Sequence, residues 1–214
     1  MTRWAFFSDI HGNSRALETA ENLARDRGVE RYVCLGDVIG RGDPARCVAW
    51  VRDHADLAIV GNRDLDYLSR VPPDLQATVQ TWAHELQASD FIASHGEPRL
   101  HRVLNSAAER DGFQRAKTYI ADLSAKVWFF GHTHRSRAWR LTDEGPQLLD
   151  APTLDLDPTS VYVVNVGTTG LPLPGRGPAC FVVYDDGPRR IERVPVQTGA
   201  IVRRHRSWSS SAHV

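Results

Sequence analysis

The stretch Trp4-Ala5-Phe6-Phe7-Ser8-Asp9-Ile10-His11-Gly12-Asn13-Ser14 decides how the rest of the chain is read. Its first half is a short apolar run, the pattern of a buried strand. The run breaks abruptly at an Asp, a His and a Gly. From Ser14 onward, Ala16, Leu17, Ala20, Leu23 and Ala24 recur at i, i+3 and i+4. That spacing predicts a helix, capped by Asn13 or Ser14 and ended by Gly28.

The same order of strand, polar turn and helix then repeats. Arg31 to Leu35 is a predicted strand stopped at Gly36-Asp37, and Pro44 to about His54 a helix with Pro near its first turn. Leu57 to Val60 is a third strand, stopped at Gly61-Asn62. Pro72-Pro73 introduces a helix from about Asp74 to Ala88, which would carry His84. Phe91 to Ser94 is a strand ending at His95-Gly96. A helix from about Ala107 to Leu123 leads to the strand Val127 to Phe130, which ends at Gly131-His132. This alternation implies an α/β fold with a parallel sheet and covering helices. After His134 the texture becomes β-rich: Ala138 to Leu141, Gln147 to Leu149, Val161 to Val166, Ala179 to Tyr184 and Ile191 to Val194 read as strands joined by Gly/Pro turns. No linker or repeat interrupts the chain. It reads as one domain over residues 1–200, followed by a Ser-rich, basic, flexible tail over 201–214.

Composition narrows the function. The chain has 214 residues, with 26 Lys plus Arg against 26 Asp plus Glu. Zero net charge argues against a general nucleic-acid binder. No apolar run is long enough to span a bilayer, and the N-terminal run meets Asp9 too early for a secretory signal, so no membrane association and a cytoplasmic location are expected. Cys34, Cys47 and Cys180 form no Cys-x-x-Cys pair. They are expected as small buried residues, not as disulfides or zinc ligands.

The polar residues carry the chemical signal by their position. Five successive strands end at residues able to bind a metal: Asp9 with His11, Asp37, Asn62, His95, and His132 with His134. In open α/β sheets the carboxyl ends of the strands share one edge, where ligands bind. Taken singly, each has an ordinary reading: Asp-x-His as a surface turn, Gly-Asp and Gly-Asn as turn chemistry, His95 as a hydrogen-bonded loop residue. Taken as an ordered set, they are expected to converge. Anionic oxygen, amide oxygen and imidazole nitrogen without thiolate suit Mn²⁺, Fe²⁺, Zn²⁺, Co²⁺ or Ni²⁺. Residues i and i+2 of an extended segment point to the same side, so Asp9 with His11, and His132 with His134, are each expected to reach one site.

The set resembles the calcineurin-like metallophosphoesterase superfamily, in its bacterial phosphodiesterase-type members. The resemblance rests on Asp9-Ile10-His11, Gly36-Asp37, Gly61-Asn62-Arg63-Asp64, His95 and Gly131-His132-Thr133-His134, with Asn165-Val166-Gly167-Thr168 as a further similar turn. It implies a four-layer α/β/β/α sandwich of two mixed sheets flanked by helices. It implies two divalent metal ions, Mn²⁺ first: one held by Asp9, His11, Asp37 and His134, the other by Asp37, Asn62, His95 and His132, with Asp37 bridging. It also implies phosphoester hydrolysis, monoester or diester, by hydroxide held between the cations and attacking phosphorus in line. The expected partner is a small phosphoester substrate.

Arg63 stands where that family usually has His. An arginine cannot serve as an ordinary acid but can bind phosphate. Asp64 completes the run, and Asp37-Val38-Ile39-Gly40-Arg41-Gly42 resembles the phosphatase and dinucleoside-polyphosphatase branch, where the Arg contacts phosphate. Arg63, Asp64 and Arg41 are therefore the candidate catalytic residues, with a solvated loop as the other reading of Arg41. The alternative function is a catalytically weak or inactive scaffold on the same fold that works through protein contacts, as a retromer subunit does.

Overall fold

A computed structural model describes residues 1–88, 90–96, 120 and 125–198. Two six-stranded mixed sheets face each other. The first contains β1 (Arg3–Phe7), β2 (Arg31–Cys34), β3 (Leu57–Ala58), β9 (Thr153–Asp155), β11 (Cys180–Asp185) and β12 (Arg190–Pro195), in the order β3-β2-β1-β11-β12-β9. The second contains β4 (Glu85–Gln87), β5 (Phe91–Ser94), β6 (Val127–Phe130), β7 (Arg137–Thr142), β8 (Gly145–Leu149) and β10 (Val161–Asn165), in the order β4-β5-β6-β10-β7-β8. In the first sheet β1, β2 and β3 run parallel, as do β5, β6 and β10 in the second. All other pairings between these strands are antiparallel.

The apolar run that opens the chain is buried on both faces for a simple reason. Side chains alternate along a strand. Ala5 and Phe7 face α1 (Ser14–Arg25) and α2 (Pro44–His54), packing with Leu17, Val48 and Phe181. Phe6 points the other way and meets Phe91 and Phe129 of the opposite sheet, stacking on Phe129 with ring centroids 4.0 Å apart. A third cluster of Ile92, Trp128, Phe130 and Val163 covers the far face of the second sheet against Ile120. Apart from Ile120, the expected helix 107–123 falls outside the described residues, as do residues 97–105 with His101 and the expected tail 201–214.

Helices begin where the caps predict. Asn13 Oδ1 accepts the Ala16 N–H at 3.1 Å and starts α1; Asp43 does the same for α2, whose first residue is Pro44. Two expectations need correction. The helix expected over 74–88 is α4, Pro73–Gln80, and it stops there. Ala83 bridges to Ile59, and Glu85–Gln87 forms an edge strand antiparallel to β5, so His84 lies in a turn and not on a helix. Non-local pairing overrides the helix preference of Glu-Leu-Gln. The strand expected over Leu57 to Val60 is laddered only at Leu57–Ala58, because the chain turns at Gly61 into the short helix α3 (Asn62–Asp66). All three cysteines are free and buried, as expected. No helix among the described residues is long and apolar enough to cross a membrane.

Candidate metal centre

The parallel strands β1, β2, β5 and β6 deliver their carboxyl ends to one edge. There the structure gathers two groups of donors: Asp9, His11 and His134, and Asp37, His95 and His132. Within each group the candidate ligand atoms lie within 4.8 Å of one another. Asp37 stands between the groups, with Oδ1 3.5 Å from His95 Nε2 and Oδ2 3.8 Å from His11 Nε2. Asn62 is the first residue of α3, and the next N–H along, that of Arg63, donates to Asp37 Oδ1 at 2.7 Å. The backbone of 61–63 therefore passes directly beside the second group.

The way the pairs converge differs from the expectation. Asp9, His11, Asp37, His132 and His134 all have positive φ, between 52° and 66°. They are not successive residues of extended strands. Each side chain is aimed by a left-handed turn, a conformation that costs a non-glycine residue on the order of 1–3 kcal/mol. Neighbouring backbone holds these turns. The Asp9 N–H donates to Gly36 O at 3.0 Å and the His11 N–H to Asp37 O at 2.9 Å. Two glycines allow the close approach. A Cβ at Gly61 would overlap Asp37, and one at Gly131 would overlap Ser8 Oγ and Asp9 Oδ2.

A set of groups without visible function in the sequence fixes the donors. His95 Nδ1 lies 2.7 Å from Leu35 O, and His134 Nδ1 lies 2.7 Å from Leu171 O. A carbonyl only accepts, so Nδ1 of each ring carries a proton and donates it. Each Nε2 then turns its lone pair to the centre in the neutral ring, the arrangement of a metal-ligating histidine. Asp9 Oδ2 accepts from Ser8 Oγ at 2.7 Å and from the His132 N–H at 2.8 Å. Thr168 Oγ1 donates to Asp9 O at 2.8 Å and accepts the Leu171 N–H at 2.9 Å. Asn165 Nδ2 donates to Gly131 O and Thr133 Oγ1, bracing the His132–His134 turn. Ser8 and Thr168 could have been noted from their places beside Asp9 and in the Asn165–Thr168 turn. The carbonyls of Leu35 and Leu171 could not, because a backbone oxygen has no residue-specific signal.

The donor atoms fit cations. Ligands about 2.1 Å from a common ion stand about 3 Å apart when adjacent and about 4.2 Å apart when opposite. The separations match that range: His11 Nε2 to His134 Nε2 3.2 Å, His134 Nε2 to Asp9 Oδ1 3.1 Å, His11 Nε2 to Asp9 Oδ1 3.8 Å, and His132 Nδ1 to His95 Nε2 3.1 Å. Asp9 Oδ1 is buried and accepts no aligned hydrogen bond, although the two imidazole nitrogens stand beside it. A buried carboxylate oxygen in that state is costly unless a positive charge faces it. Burial opposes the charge on Asp9, yet His11 and His134 hold its pKa well below the usual carboxylate range. Burial also opposes the charge on His95, but the Asp37 carboxylate, with Asp9 and Leu35 O, raises its pKa to about 9. The site therefore gathers positive charge wherever it can find it.

The three candidate catalytic residues occupy different settings. Asp64 is fully buried. Its Oδ2 accepts the N–H groups of Asp37 and Gly61, both at 2.9 Å, and its Oδ1 that of Ile39 at 2.8 Å. Burial lifts its pKa to about 6 against the pull of the Ile39 and Gly61 N–H groups. Arg63 is exposed; its Nη1 lies 3.2 Å from Asp66 Oδ2, and its Cζ lies 5.7 Å from the Tyr67 ring centroid. Arg41 is exposed on a loop whose flanks are stitched to the His11 turn, by Gly12 N–H to Val38 O at 2.8 Å and Asp43 N–H to Gly12 O at 2.7 Å.

Two opposed mixed sheets with an Asp/His donor set along one edge define a metallophosphoesterase architecture. The chain belongs to the calcineurin-like phosphoesterase superfamily, whose domain matches residues 3–186. It is 28% identical over 212 residues to an uncharacterized protein of Methanocaldococcus jannaschii, covering 90% of this chain and 86% of that one. Its fold is similar to that of a metallophosphoesterase from Sphaerobacter thermophilus, with a TM-score of 0.75, 23% identity and coverage of 92% and 90% of the two chains. A structure described as a novel archaeal phosphodiesterase is also similar, with a TM-score of 0.58, 16% identity and coverage of 92% and 100%.

Proposed function

We propose that this chain hydrolyses small phosphoesters with a pair of divalent cations, Mn²⁺ foremost. The observation that supports this most directly is the buried, unmatched Asp9 Oδ1 facing two imidazoles at 3.1 and 3.8 Å, the separations of ligands that share one ion, beside a second Asp/His group. Asp9, His11, Asp37 and His134 would hold one cation, and Asp37, Asn62, His95 and His132 the other. When bound, such a pair supplies a nucleophile from water near neutral pH and neutralises charge that develops at phosphorus.

The chain's own residues prepare for that chemistry. The Leu35 and Leu171 carbonyls fix the tautomers of His95 and His134. Asp64 acts as a positioning residue: it clamps the N–H groups on either side of the Asp37 and Gly61 turns and offers no free face to a substrate. Arg63 and Arg41, both exposed at the edge, are cations available to a phosphate. Arg63 replaces the His that would protonate the leaving group, which favours aryl or phosphoanhydride leaving groups over alkoxides.

The test combines metal content with turnover. Elemental analysis of purified protein is expected to give close to two cations per chain. Hydrolysis of an activated aryl diester or monoester is expected with Mn²⁺ and to stop on chelation. Metal-loaded protein that turned over neither, nor any dinucleoside polyphosphate, would leave the scaffold reading in its place.

A further inference from the structure

The chain is neutral as a whole, but its arginines are compensated unevenly. At the edge where β1 and β2 begin, far from the donors, arginines meet carboxylates: Arg3 with Asp185, Arg31 with Asp56, Arg190 with Asp155. At the donor edge Arg46 and Arg63 also have acidic partners. Arg135 and Arg176 do not; among the described residues neither pairs with a carboxylate. Each instead makes a bond to main chain. Arg135 Nη2 donates to Gly175 O at 2.8 Å, and Arg176 Nη1 donates to Thr133 O at 3.3 Å. Arg135 directly follows His134, and Thr133 lies between His132 and His134. The two arginines thus tie the exposed segment 173–178 to the donor turn from both sides.

That segment is anchored to the centre and not merely draped near it. Gly170 N–H donates to Asp9 O at 3.2 Å, Asn13 Nδ2 donates to Gly170 O at 2.8 Å, and Leu171 O receives the His134 ring proton. Two permanent positive charges are therefore tethered by main-chain bonds beside the donor turn, with most of their N–H groups unspent.

We propose that Arg135 and Arg176 form a second anion-binding element, and that the preferred substrates carry a further phosphate beyond the one that reacts. This rests on the phosphoesterase reading of the donor site. A singly charged diester is fully occupied by the centre and gives these two guanidinium forks nothing to bind. A polyphosphate ester or phosphoanhydride gives them further pairs of anionic phosphoryl oxygens, which arginine binds through paired N–H groups.

The experiment uses metal-loaded full-length protein. Steady-state kinetics are compared for bis(p-nitrophenyl) phosphate, which has one negative charge, and diadenosine tetraphosphate. Calorimetry follows binding of the methylene-bridged tetraphosphate analogue. For the Arg135→Ala/Arg176→Ala double variant, the KM of the tetraphosphate is expected to rise about tenfold relative to that of the diester, with a matching loss of analogue affinity and a weaker dependence of both on salt. The paired lysine variant is expected to fall between, since it keeps charge but not the fork. A loop that merely loosened would impair both substrates alike. Unchanged ratios and unchanged analogue binding overturn the proposal. A wild type that turns over neither substrate, nor an activated aryl monoester, sinks the phosphoesterase reading instead, and analogue binding then decides the anion element alone.

Discussion

Asp64 holds the main chain of Asp37: its Oδ2 accepts the Asp37 N–H at 2.9 Å and the Gly61 N–H at the same distance. One buried carboxylate therefore sets the angle between the two segments that bring Asp37 and Asn62 to the donor edge. Replacing it by Ala strands three buried N–H groups. Asp64→Ala is expected to lower unfolding free energy by about 3–5 kcal/mol. Equilibrium denaturation measures this, and cation binding should weaken in parallel. A variant with wild-type stability would show that the clamp is dispensable.

The pKa of His95 gives the apo protein a definite pH response. Its folded-state pKa of about 9 lies above the ordinary 6.5. The protonated ring thus stabilises the folded apo protein fully below 6.5, and that contribution disappears as pH rises through about 9. A cation must displace the same proton to reach Nε2. Affinity for Mn²⁺ is expected to climb between pH 6.5 and 9, with proton release on binding. Calorimetric titration in buffers of different ionisation enthalpy counts those protons. Affinity independent of pH over this window would contradict the placement of His95.

Thr168 acts on the donors through main chain: its hydroxyl joins Asp9 O to the Leu171 N–H. Thr168→Val keeps the volume and removes both bonds. Loss of an outer partner of a metal ligand typically costs about 10–100-fold in affinity. A drop of that size is expected for the cation on the Asp9 side, read by competition with a fluorescent chelator, while far-UV circular dichroism stays native. An unaltered affinity would mean that the Asp9 turn holds itself.

Arg63 lies against Asp66 and Tyr67, without a proton to give near neutral pH. Arg63→His restores a titratable group at that position. A general acid is worth about 10²–10⁴ in rate for a poor leaving group. The ratio of kcat/KM for an alkyl phosphate to that for an aryl phosphate is expected to rise at least tenfold by that measure. A constant ratio across leaving groups would remove Arg63 from the reaction.

The sequence was most legible where local pattern and final environment agree. Trp4 to Phe7 reads as a strand and is one, because the run is apolar on both of its faces and each face meets a core. Donor types at strand ends are legible for the same reason, since parallel strands share an edge. Glu85–Gln87 was not legible: three helix-favouring residues become strand only because Phe91–Ser94 offers an unpaired edge. The left-handed turns at Asp9, His11 and Asp37 were hidden too. Neither residue type requires φ > 0; Asp9 and His11 are held by the carbonyls of Gly36 and Asp37, and Asp37 by the Asp64 carboxylate, all remote in the chain.

The order in which the pieces occur along the polypeptide has a consequence for biosynthesis. Every donor has been made once the ribosome passes His134, but β10 and β11, the neighbours of β6 and β1, and the Thr168–Leu171 braces come later. A nascent chain that stops near residue 140 owns the whole set of ligands and lacks the parts that aim them. On the proposed function, metal loading is expected only after β10, β11 and these braces have been made, and a chain halted before them is expected to lack hydrolytic activity.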